Sequence, residues 1–95
     1  MIKSFKCKQT SGIFKGEISR KLPYDIQRTA MRKLWMLDAA LDLNDLAVPP
    51  GNRPEALKGD RLGWYNIRIN RQYRICFQWQ DHCAYNVEII DYHRG

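Results

Sequence analysis

Long apolar runs are missing from this chain of 95 residues: nothing in it approaches the ~20 consecutive apolar residues of a spanning helix. The opening residues MIKSFKCKQT interleave Lys3, Lys6 and Lys8 with short apolar side chains and build no apolar core of a secretory signal. The sequence therefore predicts a cytoplasmic protein with no membrane partner. Cysteine is sparse: Cys7, Cys76 and Cys83 are odd in number and irregular in spacing, as expected of reduced thiols rather than a disulfide framework. Without a CxxC pair, a metal site from Cys76, His82, Cys83 and His93 is disfavoured, and no metal is expected. The 6 glycines form neither a dinucleotide fingerprint nor a P-loop, which removes nucleotide hydrolysis. Repeats and low-complexity tracts are absent as well.

Acidic residues are in deficit, 10 against 16 Lys plus Arg, and the resulting charge of +6 points to polyanionic partners: nucleic acid, an acidic protein or an anionic surface. A hydrophobic fraction of 44% with 12% aromatics is that of a folded globule rather than a basic tail. The length predicts one domain over residues 1–95, with a modest core and no room for a large internal cavity, so any chemistry belongs in a surface groove.

Along the chain, Ile2 and Phe5 between charges suggest a first edge strand in MIKSFKC, and GIFKGE suggests a short helix in which Gly12 and Gly16 each cost about 1 kcal/mol. A clear helix begins near Pro23, with Asp25 in its first turn, and is predicted to run to Asp42. Ile26, Ala30, Leu34, Leu37 and Leu41 form its apolar stripe; Arg28, Arg32 and Asp38 form a charged exterior, with Trp35 and Met36 available to a partner. Residues 47–63 hold three Pro and three Gly and read as turn and loop. Beyond them the period becomes 2. Tyr65, Ile67 and Ile69, then Tyr73, Ile75, Phe77 and Trp79, mark two strands joined at Asn70 and Arg71, and Tyr85, Val87 and Ile89 mark a third after a turn at QDHCA. Connections this short make an antiparallel meander, and the whole an α+β domain.

The alternate hairpin positions Asn66, Arg68, Asn70, Arg74 and Gln78 make a polar, cationic strip able to hold a phosphate, or simply the solvated face that any such sheet presents. Lys58 and Arg61 leave the loop, and DYH follows the last strand, so both borders can face one groove. His93 is the side chain suited to proton exchange near neutral pH, Tyr92 can donate a hydrogen bond or orient a base, and Asp91 can orient them. A histidine so near the last residue is also commonly a frayed surface group. His82, in the turn, is assigned no role.

MIKSF, PPGNRPEALKGDRLGWYNIRIN, QYRICFQW and VEIIDYH together resemble the HigB-type toxins of the RelE/ParE toxin–antitoxin superfamily, over almost the whole chain. The resemblance implies a compact, curved antiparallel sheet with N-terminal helices packed on one face. It also implies a ribosome-dependent endoribonuclease that cuts translated messenger RNA by attack of the ribose 2′-hydroxyl, with no metal or organic cofactor. By motif position, Asp91, Tyr92 and His93 match the family's terminal DYH, Lys58 the Lys of its LKG segment, and Arg74 the Arg before its apolar strand. Three residues before Lys58 the family form has a His and this chain has Glu55, either an inert group or a substitute general base, which would need Arg53, Lys58, Arg61 and Arg74 to offset its charge near an RNA backbone. Arg20, Lys21 and Arg68, with Arg53 and Arg61, are RNA-positioning candidates. The implied partners are a HigA-like helix-turn-helix antitoxin, the 70S ribosome with its message, and operator DNA reached through the antitoxin. The alternatives are a ParE-like gyrase inhibitor, against which DYH argues, and a non-catalytic antitoxin-binding corepressor.

Overall fold

The structure, a computed structural model, describes residues 1–92. Two helices, α1 (Lys8–Phe14) and α2 (Tyr24–Ala39), pack on one face of a sheet of β1 (Glu55–Ala56), β2 (Trp64–Arg68), β3 (Tyr73–Gln80) and β4 (Cys83–Asp91). The strands run β1-β2-β3-β4 in space, each antiparallel to its neighbour. This is the α+β architecture the sequence predicts.

The N-terminal segment departs from a regular strand. It follows the outer edge of β4 through two isolated parallel bridges, Ile2 with Ala84 and Phe5 with Val87, and exchanges backbone bonds with both residues. An open strand edge is a template for unwanted pairing, and these residues cover it. Helix α1 starts earlier than predicted, at Lys8, and stops where Gly16 takes φ 89 while the Glu17 and Gly16 N–H groups return to the Gly12 and Ile13 carbonyls. Gly16 is thus the left-handed stop of the helix rather than a weak residue inside it. Buried Thr10 then ties α1 to the sheet, its Oγ1 accepting from the Ile89 N–H at 2.9 Å.

Helix α2 buries Ile26, Ala30, Leu34 and Leu37 as its stripe predicts, yet ends at Ala39, leaving Leu41 exposed. The stop comes from Asp42 and Asp45, which form a capping box: Asp45 Oδ2 accepts from the Leu41 and Asp42 N–H groups and Asp42 caps Asn44. A 3-10 turn over Leu43–Ala47 results, and it sends Leu46 into the core in place of Leu41. Two further side chains of α2 are committed internally. Asp38 accepts from the Ile2 N–H, and Met36 meets Asn52 Nδ2 at 3.8 Å instead of facing a partner; Trp35 stays half-exposed, its indole donating to the Phe14 carbonyl.

On the sheet, Ile67, Ile69, Ile75, Phe77, Val87 and Ile89 turn toward the helices. The last strand differs from simple alternation: between Cys76 and Gln78 the pairing shifts by one residue at Asn86, which has φ 53, so buried Ala84 faces the core and Tyr85 lies opposite Gln78. A bulge exchanges the faces of every residue beyond it. At the layer's centre Phe77 is fully enclosed, with its ring 6.2 Å from that of Tyr65 and 6.3 Å from that of Trp79. Phe77→Ala is expected to cost about 3–5 kcal/mol of stability, measured by urea unfolding; a loss well under 1 kcal/mol would contradict this account of the core.

Candidate active site

Alternation sends Trp64, Asn66 and Arg68 of β2 away from the helices. The register sets Asn66 between Glu55 of β1 and Cys76 of β3, and sets Arg74 between Arg68 and Ile90. The pairing of β1 is what brings Glu55 here, on a segment read from its Pro and Gly content as loop. Two residues between a proline and a glycine-bearing turn carry no alternation signal.

This second face is not the solvated strip that the polar positions suggest. Asn66 is 0% exposed and Arg74 only 8%. The Arg74 guanidinium lies against the sheet, where Nη1 donates to the Arg53 carbonyl at 3.1 Å and to Asn66 Oδ1. Nη2 stands 3.9 Å from Glu55 Oε2, and the Tyr92 ring covers the cation with its centre 5.2 Å from Cζ. The Tyr92 hydroxyl donates to Glu55 Oε1 at 3.3 Å, closing a ring of contacts through Arg74, Glu55 and Tyr92. A burial this deep needs paired acceptors around the cation, and carbonyl, amide, carboxylate and aromatic face together provide them. Three residues distant in sequence, Glu55, Arg74 and Tyr92, thus meet in one cluster able to orient an anion, accept a proton and donate a hydrogen bond.

The other candidates lie around it. Arg53 contributes its carbonyl from a left-handed turn, φ 41, while its residue is exposed. Lys58 is exposed beyond β1 at the start of a 3-10 turn over Gly59–Arg61. Arg61 returns over the Trp64 ring at 4.9 Å, and its Nη2 donates to Cys76 Sγ at 3.8 Å, so it lies on the same face toward the other end of β2. Arg68 pairs with Arg74 in register, and its carbonyl accepts from Lys33 Nζ at 2.5 Å. Burial, then the charges of Arg68 and Arg74, hold the Lys33 ammonium below the usual lysine range. Asp91 pairs with Tyr73 and accepts from Gln72 Nε2 at 3.2 Å, which directs it to the hairpin turn rather than to Glu55. Arg20 and Lys21 are exposed between the helices and line a shallow groove with Lys8 and Gln9, none of it shared with the cluster. His93 lies outside the described residues. His82 is exposed, its Nδ1 bonded to the Leu41 carbonyl at 2.8 Å. Among the described residues, no group of three or more His, Cys, Asp or Glu side chains is placed to hold a metal ion, and no helix is long and apolar enough to cross a membrane.

Among solved structures, the chain is similar to a YafQ variant from E. coli (TM-score 0.64, 14% identity, 96% of this chain and 93% of that one). It is likewise similar to the YoeB–YefM toxin–antitoxin heterotetramer from Staphylococcus aureus (TM-score 0.61, 19% identity, 99% of both chains). At these identities the likeness defines the fold alone, a compact α+β domain. The sequence is more specific. The model of the RelE-like toxin of the type II toxin–antitoxin system HigB matches residues 3–93. Toxin HigB-1 of Vibrio cholerae is 48% identical over 75 residues, covering 79% of this chain and 78% of the relative. Endoribonuclease HigB of Proteus vulgaris is 35% identical over 98 aligned residues, covering 98% of this chain and all of the relative. The chain belongs to the HigB-like family of RelE-type toxins of type II toxin–antitoxin systems.

Sequence reading alone missed the enclosure of Asn66, because a polar residue in an alternating strand signals an outward position and not what covers it. Cys76 is enclosed on the same face, and burial pushes its thiol above the ordinary range, assisted by Glu88 and partly opposed by Arg61 and Lys6. Since the thiolate is the reactive form, Cys7 and Cys83 should be alkylated in the native protein well before Cys76. Mass spectrometry after timed iodoacetamide exposure checks this, and equal rates at all three positions would contradict it.

Proposed function

We propose that this toxin is a ribosome-dependent endoribonuclease that cuts messenger RNA during translation without a metal ion. The observation that carries the reading is the meeting of Glu55, Arg74 and Tyr92 on one sheet face. A strong donor fork beside a carboxylate and a phenol suits a phosphodiester whose own ribose supplies the nucleophile. In the step envisaged, the 2′-oxygen forms a bond to the adjacent phosphorus as Glu55 takes its proton. The P–O5′ bond breaks, and the departing oxygen receives a proton from His93, leaving a 2′,3′-cyclic phosphate and a 5′-hydroxyl. Arg74 and Lys58 stabilise the charge that grows on the phosphoryl oxygens, and the Tyr92 hydroxyl holds the Glu55 carboxylate in place. Arg53, Arg61 and Arg68, with Arg20 and Lys21 on the far groove, steer the basic surface toward RNA. Asp91 acts from the hairpin turn, supporting the segment that carries Tyr92 and His93.

The Proteus vulgaris relative is named an endoribonuclease, which supports the reaction class. A HigA-like helix-turn-helix antitoxin is the proposed protein partner, and it brings the pair to operator DNA. Message ends mapped after brief expression should show cuts within translated regions, with DNA supercoiling by gyrase unaffected. His93→Ala and Glu55→Gln should each lower the cleavage rate on programmed ribosomes about 10² to 10⁴-fold, Glu55→Gln also flattening the acid limb of the pH–rate profile. Wild-type rates in His93→Ala, or a pH profile unmoved by Glu55→Gln, would remove those residues from the reaction.

A further inference from the structure

Asn66 occupies a position that stability alone does not explain. It lies within β2 with strands paired on both sides, it is wholly enclosed, and its Nδ2 has no hydrogen-bond partner among the described residues. A buried amide with unused N–H groups is costly; a small apolar residue would avoid that cost but would leave Arg74 Nη1 with the Arg53 carbonyl as its acceptor among the described residues. Among the described residues its side chain makes one hydrogen bond, from Arg74 Nη1 to Oδ1.

The two nitrogens of Arg74 are treated differently. Nη1 is taken by two neutral oxygens, those of Asn66 and of the Arg53 carbonyl, whereas Nη2 faces Glu55 across 3.9 Å, beyond hydrogen-bond reach. The Glu55 side chain is itself 48% exposed and so has room to move. We propose that Asn66 is a positioning residue that aims Arg74 at the scissile phosphate, an inference that rests on the endoribonuclease reading and deepens it. The neutral amide fixes one nitrogen and the plane of the guanidinium while leaving the cation's charge uncompensated from below. The Nη2 edge then remains for a phosphate oxygen. An aspartate of the same shape would grip the guanidinium at least as firmly but would spend its charge on a buried partner.

The test uses the full chain on programmed ribosomes at saturating toxin, with single-turnover cleavage, ribosome binding and thermal unfolding measured separately. Arg74→Ala should abolish cleavage. Asn66→Asp should cleave about 10 to 100-fold more slowly, with unchanged ribosome binding and a cooperative melt. Asn66→Ala should lose about tenfold in the wild-type background but under about twofold when added to Arg74→Lys, since partners acting through one another are not additive. Should Asn66→Ala fold poorly, the isosteric Asn66→Asp carries the test. An Asn66→Asp protein cleaving within about twofold of wild type overturns the positioning role, as does a full multiplicative loss in the Arg74→Lys background. A wild-type toxin that leaves messages intact on the same ribosomes sinks the endoribonuclease reading and this inference with it, a result distinct from either of those.

Discussion

A cation enclosed on a sheet face sets the terms for the site. Arg74 is 8% exposed, and a charge removed from water to that degree is tolerable only where fixed acceptors replace the water it gave up. The groups around it come from three separate stretches: the Arg53 carbonyl before β1 and the Glu55 carboxylate at its start, the Asn66 amide on β2, and Tyr92 after β4, its ring laid over the guanidinium. Had any of these strands paired one residue out of register, the groups would point to the opposite face. The site is thus a product of antiparallel pairing as much as of residue type.

The pairing in turn depends on how the sheet's other face and edges are closed. The stripe of α2 and the docking of α1 through Thr10 supply the apolar layer, and the N-terminal segment covers the β4 edge. The loop between α2 and β1 is anchored from within: Asn52 is buried, and its Nδ2 bonds the Leu46 carbonyl at 3.1 Å. That anchor, with the left-handed Arg53 that follows it, delivers both the carbonyl that holds Arg74 and the short strand bearing Glu55. Packing on one side of the molecule therefore decides electrostatics on the other.

Membership in the HigB-like toxins gives this arrangement its setting. Where the resemblance sets a His, this chain has Glu55, the proton acceptor of the proposed reaction, and a guanidinium and a phenol lie beside its carboxylate. A bare carboxylate would repel an RNA backbone. One held beside Arg74 presents a locally balanced surface instead.

Much of this was legible in the residues themselves. The α2 stripe and the period-2 strands declared their apolar faces, since burying one face of each element is what drives these segments together. The sequence motifs also named Glu55, Lys58, Arg74 and Tyr92 as candidates in common. Element ends were less legible: Gly16 as a helix stop, the Asp42–Asp45 box that releases Leu41, and the bulge at Asn86 all rest on a few local hydrogen bonds rather than on a periodic pattern. The residues by themselves thus determined the fold class and which side chains could do chemistry. Only the tertiary structure decided that Asn66 and Arg74 lie enclosed, and that Glu55 meets Tyr92 across 37 positions of chain. Enclosure and convergence are made by cross-strand register and by what packs over a face, and neither is a property of any local stretch of sequence.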